Sequence, residues 1–81
     1  MGEPGRKVGN FFARLLVEKH WQIVELERRS RVPRATIYRH LKGETFPTVQ
    51  MRSKYADGLG FGSVDEFDKA WDSEPSEPSR I

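Results

Sequence analysis

The stretch Ser30-Arg31-Val32-Pro33-Arg34-Ala35 limits what this chain can fold into more than any other part of it. Proline has no amide hydrogen and a fixed φ, so it is tolerated at the first position of a helix and disfavoured inside one. A helix therefore restarts at Pro33. Upstream, Ile23 and Leu26 face inward at helical spacing while Arg28 and Arg29 face outward, which predicts a helix over 23–30. Downstream, Ile37 and Leu41 share one face at i and i+4, with Arg34, Ala35, Tyr38 and Arg39 on another. Gly43 supplies the left-handed residue that ends such a helix, placing it over 33–42. Only Arg31 to Pro33 connect the two, which is the spacing of a helix-turn-helix.

Phe12, Leu15, Leu16 and Lys19 recur at steps of three and four, predicting a first helix over 11–19 capped by Asn10. Residues 1–9, with three glycines and a proline, read as a flexible arm carrying Arg6 and Lys7. Thr48, after Pro47, is a natural N-cap for a helix from Val49 to about Asp57. In "DGLGFGS", glycines fall at every second place, but no strand precedes them; a helix stop and turn explains them better than a dinucleotide loop. Ser63 and Glu66 form a Ser-x-x-Glu box opening a last helix through Phe67, Ala70 and Trp71. Residues 72–81 repeat Glu-Pro-Ser and read as a disordered tail. No segment alternates with period two for long enough to make a strand. The expected fold is all-α, a compact five-helix bundle over 10–71 between arm and tail.

Composition narrows the chemistry. At 81 residues a single core is the ceiling, since only about 60% of the surface of so short a chain is buried on folding. There is no cysteine, and His20 and His40 stand far apart, so neither a metal site nor a cofactor is expected. No nucleophile, base and orienting group fall at suggestive spacings, which argues against an enzyme. "FFARLLV", the longest apolar stretch, is interrupted by Arg14 and too short to span a bilayer, and no signal pattern opens the chain. A cytoplasmic protein with no membrane partner is the expectation.

Charge is unevenly spread. Residues 28–54 hold eight Lys or Arg against one acid, Glu44, whereas from Tyr55 onward two basic residues face seven acids. A positive block on a folded element is the electrostatic footprint of a phosphate-binding surface.

Residues 10–71 resemble the DNA-binding domain of the phage repressor and Cro (XRE-like) family. The resemblance is carried by Gln22, Leu26, Val32-Pro33, Thr36-Ile37, Gly43, Pro47-Thr48 and Leu59-Gly60, in order and at matching spacing. The chain departs from the family pattern at Glu27, where a small residue is usual, and at Arg31, where the turn usually has Gly. Leu16 and Leu41 occupy positions where several relatives carry an Arg–Glu pair.

The resemblance implies a Cro-like transcriptional repressor of phage, plasmid or bacterial origin, bound as a homodimer to a double-stranded DNA operator. Its third helix would enter the major groove. The base-reading positions map onto Arg34, Ala35 and Arg39, with Thr36 and Tyr38 beside them. Arginine suits this role because it can donate two hydrogen bonds to O6 and N7 of guanine. Phosphate contacts are expected from the start of the second helix at Gln22 and Ile23, from Lys42 and Thr45, and from Arg52 and Lys54. Arg6 and Lys7 would reach a minor groove. Apart from the resemblance, Phe61, Phe67 and Trp71, apolar residues left over once the core is filled, are candidates for a dimer face, with core packing the alternative for each and the favoured one for Phe67. The alternative is an antitoxin or inhibitor-type module that uses the same fold to bind a protein partner. RNA is disfavoured, since RNA readers more often display aromatic platforms or a sheet.

Overall fold

The computed structural model describes residues 3–74, with only the backbone at Glu3. These residues form five helices and no strand: α1 (Glu3–Lys19), α2 (Ile23–Ser30), α3 (Arg34–Lys42), α4 (Val49–Leu59) and α5 (Val64–Asp72). α1 packs on α3 and α5, α2 on α3 and α4, and α4 on α5. The architecture is an all-α five-helix bundle.

The local signals act as their chemistry dictates. The Thr48 hydroxyl accepts from the Met51 N–H at 3.3 Å, and Ser63 Oγ accepts from the Glu66 N–H at 3.2 Å. Glu66 reaches back to the N–H of Gly62, at 3.4 Å, so the reciprocal bond falls one residue before the cap. Gly43 and Gly60 close α3 and α4 at φ 78° and 85°. Arg31 closes α2 at φ 64°, where a residue with a Cβ is held at a cost of about 1–2 kcal/mol.

Over residues 3–9 the expectation of a flexible arm is corrected; residues 1–2 lie outside the described residues. From Glu3 onward this region is helix, and Asn10 lies inside α1 instead of capping it. Pro4 sits in the first turn, where no amide bond is lost. The glycines serve close approach. A Cβ on Gly9 would lie 2.5 Å from the Leu41 carbonyl oxygen, so α1 and α3 meet backbone to backbone. Lys7 fastens the same end of α1 to α5, donating to the Asp72 carbonyl at 3.2 Å and pairing with its carboxylate at 3.6 Å.

The far end is also longer than expected. Asp72 completes α5, and the Glu74 carboxylate accepts from Arg14 Nε at 3.0 Å and Nη2 at 2.9 Å. This pairing orders the start of the segment read as a tail; 75–81 lie outside the described residues.

The core draws on every helix: Val8, Phe11 and Phe12, Leu26, Val32 of the turn, Ile37, Tyr55 and Ala56, and Phe67 are each at most 3% exposed. Phe67 is edge-on to Phe11 and Phe61, at 5.7 and 5.6 Å between ring centres. Phe67 is therefore no part of a dimer face. Phe61 packs onto the same cluster, and Trp71 lies edge-on to Phe46 at 5.2 Å while donating Nε1–H to Asp68 at 2.9 Å. Phe67 is thus spent on the core, while Phe61 and Trp71 pack against it partly buried. Leu16 and Leu41 both pack, partly buried, against that core. No helix among the described residues is long and apolar enough to cross a membrane, and no group of His, Cys, Asp or Glu among them could hold a metal ion.

Candidate nucleic-acid interface

α3 is anchored on one side and bare on the other. Ile37 is fully buried, and His40 is 3% exposed, its Nδ1 sharing a hydrogen bond of 2.8 Å with the Tyr55 hydroxyl. Burial pushes the His40 pKa below the usual histidine value, so the ring is a neutral packing residue. Arg34, Ala35, Tyr38, Arg39 and Lys42 are all exposed, with Tyr38 at 44%, while Thr36 lies half-buried at the edge of that face. The five residues expected at the bases thus share one outward stripe or its margin.

The N-terminus of α2 opens onto the same stripe. Gln22 caps α2 with extended backbone and no side-chain bond, and its carbonyl accepts from Glu25 at 3.0 Å. A helix start leaves its first amides without intrahelical partners and carries the positive end of the helix dipole. Gln22, Ile23 and Val24 line one depression together with Arg34 and Tyr38. Two groups placed apart in the sequence therefore meet at one surface. Lys42 at the other end of α3, and Thr45 beyond it, are exposed.

The basic block is less positive than its composition implies. Arg28 and Arg29 share the Glu25 carboxylate, whose pKa they hold below the usual range. Arg34 pairs with Glu27 at 3.1 Å, and Arg52 with Asp68 at 2.9 Å. Half of the eight cations are thus matched by acids from outside the block, and Arg31, Arg39, Lys42 and Lys54 have no carboxylate partner among the described residues.

Four residues expected at the DNA are placed differently. Arg52 faces into the fold: its Nη1 donates to the Pro47 carbonyl at 2.8 Å, its Nε to Asp68, and its guanidinium lies 5.0 Å from the centre of the Phe46 ring. It braces the α3–α4 loop, because its carboxylate partner lies on α5. Lys54 is exposed but lies with Arg28, Arg29, Arg31 and Asp57 in a second depression that includes no residue of α3. Arg6 and Lys7 are fixed on α1. Arg6 stands by the C-terminal cap of α3, where a Gly43 Cβ would lie 3.6 Å from its Cα, and Lys7 is held by Asp72.

Glu27 carries a role beyond the sequence reading, which noted it only as a departure at a helix contact. Its Oε2 accepts from the Arg34 backbone N–H at 3.2 Å and its Oε1 from Arg34 Nε at 3.2 Å and Nη2 at 3.1 Å. The available signal was the acid seven residues before an arginine, across a turn of known length. Comparison with known proteins finds no family model, curated protein or solved structure that matches the chain.

Proposed function

We propose that this chain is a sequence-specific double-stranded-DNA-binding protein, a Cro-like transcriptional repressor that lays α3 in the major groove as the second half of a helix-turn-helix. The observation that carries this reading is the exposed stripe of α3, where Arg34 and Arg39 face outward over a fully buried Ile37. Each guanidinium can bond O6 and N7 of a guanine, a contact worth about 1–3 kcal/mol of discrimination against another base. Ala35 offers a methyl to thymine. Tyr38 and Thr36 border these contacts, and the α2 amides near Gln22 and Ile23 take a phosphate with Lys42 and Thr45. One module this small covers a half-site, so the reading takes two copies per operator, about 34 Å apart.

The test is selection of bound sequences from a random duplex library, followed by titration at two salt concentrations. A defined operator should emerge, and its affinity should fall steeply with salt, by close to one log unit per log unit of salt for each phosphate neutralised. The double variant R34A/R39A should lose operator preference while melting normally. A flat salt response, or preference unchanged in that variant, would refute the reading. If no operator emerges and a protein partner binds wild type and R34A/R39A alike, the chain is instead a protein-binding module.

A further inference from the structure

A carboxylate beside a phosphate-binding surface weakens attraction to every duplex, so Glu27 is out of place there on charge alone. Its geometry supplies a reason. α3 has no acid in its first turn, and Pro33 at the cap position offers no side-chain acceptor. The Glu27 carboxylate, reaching across from α2, fills that gap through the Arg34 N–H. The same carboxylate grips the side chain of the residue it caps. Guanidinium presents five N–H donors in one plane. Glu27 Oε1 takes the Nε edge of that fork, through Nε and Nη2. The edge that remains carries one N–H from each terminal nitrogen and points away from the carboxylate, in a plane fixed by it. Such an edge matches the paired acceptors of guanine.

From this we infer that Glu27 is a positioning residue for base recognition: it fixes the Arg34 guanidinium so that a single bidentate edge is presented to the groove. The inference rests on the DNA-binding reading above. Arg39, with no carboxylate partner among the described residues, keeps its rotational freedom and reads less strictly. Glu27 thus gives up general affinity for duplexes in return for sharper choice at one base pair.

The experiment compares the wild-type chain with E27Q, E27D, R34A and E27Q/R34A, by library selection and by titration against the operator and its single-base variants. R34A identifies the guanine that Arg34 reads. At that position E27Q should reduce the preference for guanine from about 10-fold or more to under about 3-fold, while binding random duplex at least as tightly as the wild type. E27D keeps the charge but withdraws it by one methylene, and should relax the same position. At that base pair the double variant should show the same preference as R34A, because Glu27 acts on base choice only through that side chain. In the free protein, the Arg34 Nε–H signal should be protected from exchange in the wild type and lose that protection in E27Q, a readout that holds even where the cap loss lowers the melting temperature.

Preference retained in E27Q and E27D would overturn the role of Glu27 while leaving DNA binding intact. So would preference lost equally at all positions. A wild-type chain that selects no duplex would overturn the DNA-binding reading and this inference together.

Discussion

Replacing Gly9 with alanine sets two effects of opposite sign against each other. Gly9 lies inside α1, where alanine is about 0.8–1 kcal/mol more favourable than glycine. If 1–9 were a loose arm touching nothing, G9A would be neutral or stabilising. In the fold, however, the added Cβ would sit 2.5 Å from the Leu41 carbonyl oxygen and 3.2 Å from that of His40. Both obstacles are backbone, so no side chain can rotate aside. Restoring ordinary contact requires α1 and α3 to part by roughly 0.9 Å at this point, and overpacking of this kind costs about 1–3 kcal/mol. At the upper end, which a rigid obstacle favours, the net loss is about 2 kcal/mol after subtracting the propensity gain. For a domain of this size that lowers the melting temperature by roughly 8–16 °C. Thermal melts followed by circular dichroism, supported by urea titration, measure it directly. A G9A chain as stable as the wild type would refute the backbone contact and restore the arm.

R31G should raise stability by about 1 kcal/mol, because glycine takes φ 64° without the penalty arginine carries there; urea midpoints would show it. R52A should lower stability by about 1.5–3 kcal/mol through loss of its bonds to Asp68 and Pro47, leaving the salt dependence of DNA binding unchanged. K42A should do the reverse, melting normally while the log-log salt slope falls by about one per copy. The His40 pKa is lower in the folded chain than in the unfolded one, where it lies near 6.5. The unfolded state therefore takes up its proton first as pH falls. His40's contribution to stability is complete above about pH 6.5 and declines as pH drops through its folded value, so wild type should lose more stability than H40Q between pH 7 and pH 5.

Legibility followed the range over which each signal acts. The bounds of α2 and α3 and the start of α5 rest on Pro33, Gly43 and Ser63, whose effects reach only a few residues, and a linear reading captures them. Pro4, Gly5 and Gly9 favour loop by local propensity. What makes them helical is contact with α3 and α5, more than thirty residues away. Arg52 looked like a surface cation because Asp68 sits on a different helix. Phe67 is open to either a core or a dimer-face role in the linear sequence, because nothing in its neighbourhood shows that the rings of Phe11, Phe12, Tyr55 and Phe61 converge on it. In α3 the outward stripe was readable from periodicity, whereas the grip of Glu27 on Arg34 required knowing how α2 crosses α3.

The pairing of Lys7 with Asp72, and of Arg14 with Glu74, lays the close of α5 along the first and middle turns of α1. A linker from the end of α5 back to the start of α1, with new ends opened in the exposed turn at Gly62, would reorder the polypeptide while keeping the same helix neighbours, at the loss of the Gly62–Glu66 bond. The residue order in which the helices are synthesised is thereby separable from the surface they build, and a rearranged gene could carry the same α3 face.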